Sequence, residues 1–280
     1  MGYIYFVATG SDGSIIKNLD WTGTIDKVEL LIGDQVIDVQ DSIWSTIIEP
    51  VTGSTVPSQS VLPAANSFYP LKFFFCKNWS SALPLVSLKF SEVTIRITWS
   101  KSFIDLGYQY ILWYNGIFLD QAEREYYAKN QHILLITQTQ RQAVPFSGQY
   151  MDLTFSNQVK YIAFQSSTVN KTGLQMKIQI NGVDTCDFKN LVQWSDVNQY
   201  YYTPTGYAAS PPSVALIPFC LNTALHQPTG TLNFSTLDIF RIVVPQNQIV
   251  QSLVTGSYIY AVNYNFLKIE KGVASLIYLT

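Results

Sequence analysis

His132 and His226 are the chain's two histidines, and its thiols are Cys76, Cys186 and Cys220. These are the side chains best suited to metal, nucleophilic or acid–base work. Their spacing gives such chemistry little footing. The cysteines are far apart and odd in number, with no C-x-x-C pair, so a zinc site is not expected. They read as buried thiols in a reducing compartment. His132 opens the apolar stretch Ile133 to Ile136, and His226 precedes Gln227, Pro228, Thr229 and Gly230, a turn sequence. Both are expected to be structural. Asp120, Glu123 and Glu125 could suggest paired carboxylates, but Arg124 and Lys129 are close by, and Glu125 and Lys129 stand four apart. That is the spacing of an ion pair on a solvated helix. The chain has no nucleophile elbow, P-loop or dinucleotide glycine pattern. The expectation is no enzyme, no cofactor and no metal.

Two further features could meet a ligand. Sequons occur at Asn78, Asn170 and Asn233. Asn170, in a polar loop, is the most accessible of them, whereas Asn233 lies in a strand-like segment. The tract Tyr200-Tyr201-Tyr202 runs into Thr203-Pro204-Thr205-Gly206. It suits either a sugar platform or a contact with another chain, and aromatic enrichment at interface hot spots favours the contact.

The elements that position these residues are strands. Of 280 residues, 48% are hydrophobic and only 13% charged, which excludes disorder and suggests apolar surface shared with other chains. A net charge of −2 without a basic block gives no sign of a nucleic-acid surface. The start, MGYIYFVATG, lacks a basic n-region, Phe6 stands where a myristoylation signal wants Ser or Thr, and no apolar run is long enough to span a bilayer. Val28 to Ile32, Gly33-Asp34 and Gln35 to Val39 form a hairpin pattern, and Leu174 to Ile180 followed by Asn181-Gly182 forms another. Val93 to Trp99 alternates as a half-buried strand does. Tyr3 to Ala8, Ser257 to Tyr264 and Leu276 to Leu279 also read as strands. The single helix expected covers Asp120 to Lys129, with Asp120 as N-cap.

The pattern repeats. Shifted by 144, Phe75-Cys76 falls on Phe219-Cys220, Asn78 on Asn222, Pro84 on Pro228, Leu88 on Leu232, Phe90-Ser91 on Phe234-Ser235 and Ile95 on Ile239. A shift of 149 lays the Gly33 hairpin over the Gly182 hairpin, and a shift of 150 lays Tyr108 and Tyr110 over Tyr258 and Tyr260. Three matches in one order imply two copies of an all-β unit, expected over 1–143 and 144–280. About eight strands per copy suit a jelly roll.

Several segments resemble the double jelly-roll major capsid proteins of large nucleocytoplasmic DNA viruses. Phe73 to Leu88, with Phe75, Cys76, Asn78, Leu83 and Pro84, resembles the family's aromatic, basic-Asn, Ala-Leu-Pro-Leu run. Asp120, Glu123, Arg124, Tyr127 and His132 resemble a second segment. His226, Gln227, Pro228, Gly230, Asn233, Phe234 and Ser235 resemble its most specific signature, and Ala261 to Asn265 its closing strand. The resemblance implies two tandem eight-stranded antiparallel jelly rolls. It implies a homotrimer acting as a pseudo-hexagonal capsomer in an icosahedral shell, beside neighbouring capsomers and minor capsid proteins. An inner membrane would lie nearby without being spanned, and nucleic acid would not be touched. Assembly would take place in the host cytoplasm. The chain is shorter than most members, with one clear strand before Trp21 where the family has an arm and a further strand. A first sandwich short of a strand and a trimmed or divergent copy both stay open. So do a minor capsid protein and, outside the family, a jelly-roll carbohydrate-binding protein. A cupin-like enzyme would need clustered histidines.

Overall fold

The computed structural model describes residues 2–17, 19–53, 65–77, 79–101, 107–204 and 214–278. Asn78, Thr205, Gly206 and Leu279, each named above, lie outside them. The chain forms two compact units. The first comprises Met1–Thr46, Leu62–Gln138 and Tyr264–Leu279; the second comprises Ile47–Val61, Thr139–Asn263 and Thr280.

In the first unit, the strand Ile4–Thr9 lies antiparallel between Phe68–Leu71 and Gln109–Tyr114. The strand Ile25–Ile32 lies between Gln35–Asp41 and Val93–Trp99. The expected hairpin turn is present: Gly33 and Asp34 both have positive φ, 57° and 66°, as a tight right-twisting hairpin needs. Ile4, Phe6 and Ala8 of one sheet and Val28, Leu30 and Ile32 of the other share a core with Trp21 and Phe73 to Phe75. The period of two does this, since alternate residues of each strand face inward.

The second unit repeats this plan. Gln158–Gln165 lies between Val214–Pro218 and Tyr258–Glu270. Gln175–Ile180 lies between Phe240–Val243 and an interrupted strand, Val183–Asp184 and Lys189–Asn190. Asn181 and Gly182 make the matching turn, with φ of 50° and 81°. Two more strands extend its sheets: Tyr150–Leu153 pairs with Phe240–Val243, and His132–Ala143 pairs with Tyr258–Glu270. Six strands of the first unit have counterparts in this plan, and the described residues of that unit also hold the pair Leu19–Asp20 with Ala65–Asn66 and the strand Val273–Leu276.

Three details differ from the sequence reading. The units divide between Gln138 and Thr139, not between residues 143 and 144. Tyr264–Leu279 sit with the first unit, because Leu267, Ile269, Ala274 and Leu276 enter its core beside Ile136. The last strand is Val273–Leu276, a hairpin partner of Tyr258–Glu270 across Lys271 and Gly272, both with positive φ. The helix Gln121–Lys129 forms as expected.

Candidate functional site

The segment from His226 to Ser235 is held by close local contacts. Gly230 has φ 141°, and a Cβ there would stand 2.5 Å from the Phe219 carbonyl oxygen, so only glycine lets the two backbone segments approach this closely. Thr229 Oγ1 accepts from the backbone N–H groups of Leu221 and Asn222, at 3.2 and 3.3 Å. Asn233 Oδ1 accepts from Ser235 N–H at 3.1 Å, and Ser235 Oγ accepts from Asn157 N–H at 2.9 Å. This local bonding separates two short strands, Leu232–Asn233 and Phe240–Val243. Phe234 is thereby pressed into a ring cluster, with centroids 4.9 Å from Phe240, 5.8 Å from Phe219 and 6.3 Å from Phe155. His226 is half-buried in the loop, and Gln227 and Pro228 are exposed.

The other signature residues that the structure describes are placed by the elements around them. Phe75 and Leu83 belong to the first core. Cys76 ends a short turn of 3-10 helix beside them, and the Pro84 carbonyl accepts from Ser87 N–H at 3.0 Å. Asp120 and Glu123 form a reciprocal capping box: Asp120 Oδ1 accepts from Glu123 N–H at 2.7 Å, and Glu123 accepts from Asp120 N–H at 3.2 Å. Two of the four orphan N–H groups of the helix end are satisfied this way. Arg124 is exposed, its N–H bonded to the Asp120 carbonyl. Lys129 pairs with Glu125 at 2.9 Å and holds that carboxyl below its ordinary range.

No chemistry-bearing cluster forms among the described residues, which hold no group of three or more His, Cys, Asp or Glu able to bind a metal. His132 Nε2 lies 3.0 Å from the Tyr127 carbonyl, a bond only an N–H can make, and its ring packs on Tyr127. The three cysteines are free thiols. Burial pushes Cys76 up to about 12 and also raises Cys220. That is opposite to the shift a nucleophilic cysteine needs. No helix is long and apolar enough to cross a membrane among the described residues.

The structure instead offers surfaces. In the second unit, Tyr161, Leu216 and Tyr260 lie on the sheet face turned away from the sandwich core, alternating with the core residues Ile162, Ile217 and Ile259. All three are nonetheless buried. Ile48, Val51 and Thr52 are also buried, and the Tyr161 hydroxyl donates to Thr52 Oγ1 at 3.0 Å. In the first unit, the matching outer face is an open cleft of about 890 Å³. It carries Tyr5, Phe68, Pro70, Ile111 and Trp113, with Trp113 54% exposed. Elsewhere, Tyr200 and Tyr201 stand out from the helix Asn198–Tyr202, 60% and 70% exposed.

The helical segments carry a signal that the sequence reading missed. Trp44-Ser45 and Trp194-Ser195 are 150 residues apart. Each pair sits on a wide π-helical turn, Trp44–Ile48 or Gln193–Val197, that runs into a short α-helix. Each turn starts on a side-chain cap: Asp41 Oδ1 accepts from Trp44 N–H at 2.8 Å, and Asn190 Oδ1 from Gln193 N–H at 3.2 Å.

A duplicated antiparallel sandwich with matched hairpins and matched helical turns is a double jelly roll. Residues 12–112 match the family model described as major capsid protein N-terminus. The chain is 27% identical to the major capsid protein of Pyramimonas orientalis virus, over 98% of this chain and 82% of that protein. It is 25% identical to that of Paramecium bursaria Chlorella virus 1, over 91% and 78%. Its fold matches a chain of the quasi-atomic PBCV-1 virus capsid with a TM-score of 0.77 at 21% identity, covering 99% of this chain and 89% of that one. The chain is thus similar along nearly its whole length to the double jelly-roll major capsid proteins of large DNA viruses.

Proposed function

We propose that the chain is a structural virion protein, a major capsid protein whose copies associate as trimeric pseudo-hexagonal capsomers and tile an icosahedral shell. What carries this reading is the similarity to two viral major capsid proteins over more than nine-tenths of the chain, joined to a fold in which one sandwich is repeated. Catalysis plays no part in it. The signature residues, from Phe75 to Ser235, serve the shape of the two sandwiches. The chain's partners are further copies of itself, neighbouring capsomers and minor capsid proteins. It lies near an inner membrane without spanning it and does not touch nucleic acid. It is assembled in the host cytoplasm, where free thiols persist. Association works by burying apolar surface between rigid subunits, whose geometry sets the symmetry.

The mass of the purified protein by light scattering tests the reading. A species of three times 31.6 kDa that forms hexagonal arrays under the electron microscope is expected. A stable monomer that binds glycans tightly would overturn the reading in favour of a carbohydrate-binding module.

A further inference from the structure

The second unit contains a template for covering a sheet face of this fold, and in the first unit no described residue covers the same face. The two faces correspond by register. Tyr161 lies opposite Pro218 on the neighbouring strand, and Tyr5 lies opposite Pro70. Tyr5 therefore stands where Tyr161 stands. The two helical segments correspond as well: Trp44-Ser45 matches Trp194-Ser195, which places Pro50, Val51 and Thr52 against Tyr200, Tyr201 and Tyr202. In the template, Pro50, Val51 and Thr52 are buried, and Thr52 is bonded to Tyr161. In the copy, Tyr200 and Tyr201 project into solvent, and the outer face around Tyr5, Ile111 and Trp113 is an open apolar cleft.

We propose that the helix Asn198–Tyr202 of one molecule docks on the outer face of the sheet Phe68–Leu71, Ile4–Thr9 and Gln109–Tyr114 of a second copy, with Tyr200 and Tyr201 entering the cleft beside Trp113. This inference rests on the capsomer reading and supplies its contact. The donor and acceptor are different patches of one chain, so the junction is head-to-tail, and three such junctions close a ring. The helix is well placed to be a rigid donor. Asn198 Nδ2 donates to the Leu216 carbonyl at 2.7 Å and Gln199 Nε2 to the Val214 carbonyl at 2.6 Å, which fixes its base on its own edge strand. The two tyrosines bring large apolar rings at little cost in side-chain freedom. They also replace the smaller Pro50 and Val51 of the template, which suits a cleft that is wide and lined with aromatic residues.

Trp113→Glu and Tyr201→Asp test the contact by light scattering. The wild type is expected at the trimer mass and each variant alone at one third of it. An equimolar mixture is expected to form dimers, because Tyr201 of the first variant meets Trp113 of the second at one intact junction. Trp113→Phe and Tyr201→Phe should stay trimeric. A trimeric wild type whose charged variants are also trimeric would overturn this contact and leave the capsomer reading standing, whereas a monomeric wild type would sink both. Variants that fall to monomers but do not pair when mixed would also overturn the head-to-tail contact. Ile111→Asp and Tyr200→Asp replace any variant whose circular dichroism shows unfolding.

Discussion

Gly230 and Gly182 both have positive φ, at 141° and 81°, but only Gly230 has backbone in the way of a side chain. At Gly182 nothing lies within 4 Å of a built Cβ, so Gly182→Ala should cost only the turn conformation, about 1–2 kcal/mol. Gly230→Ala adds a collision with the Phe219 carbonyl that moves the loop carrying Phe234, so it should cost more than that. Urea midpoints of the two variants compare the costs; equal losses would mean that the loop yields freely. Cys76 gives a pH prediction. Burial raises the thiol from its ordinary 9.0 to about 12, so the unfolded chain loses this proton first as pH rises. The stability linked to the neutral thiol is complete below pH 9 and is lost between pH 9 and about 12. Cys76→Ala should therefore lose less stability than wild type over that interval, read as urea midpoints at successive pH values. Identical slopes would contradict the burial of this thiol.

Elements with short-range causes were legible in the sequence. Asp120 and Glu123 mark the helix start at capping-box spacing, and Gly33-Asp34 and Asn181-Gly182 mark two hairpins through residues that tolerate positive φ. The C-terminal hairpin was not. Lys271 adopts φ 53° although lysine rarely marks such a turn. The affiliation of residues 264–279 depends on side chains more than 100 positions away in sequence, which no local pattern encodes. The helical turns at Trp44 and Trp194 were legible only as a repeated Trp-Ser pair, since their apolar period is too short to register. The affiliation has a consequence for stability. Leu267 is fully buried in the first core, so Leu267→Ala should cost roughly 2–5 kcal/mol. The loss should fall on the first unit. Hydrogen exchange should rise in Ile4–Thr9 and Ile25–Ile32 while Gln175–Ile180 stays protected. Equal loosening of both units would contradict the assignment of the hairpin.

At the scale of the molecule, the scarcity of charge decides how association should respond to conditions. Charged residues are 13% of the chain, and the cleft of the first unit is lined by aromatic and aliphatic side chains with Lys72 as its one charge among the described residues. A contact built on such a face gains little from Coulomb attraction and much from removing apolar surface from water. Raising ionic strength from about 0.1 M to about 1 M shortens the screening length from about 10 Å to about 3 Å. That should leave the associated fraction unchanged or slightly higher, whereas charge-driven assembly would fall apart. Temperature supplies a second handle, because partner binding stabilises a folded chain by mass action. The melting temperature should rise with protein concentration in wild type and stay constant in Trp113→Glu. Calorimetry at a low and a high concentration separates the two cases. A wild-type melting temperature independent of concentration would place the exposed aromatic residues outside any contact between copies.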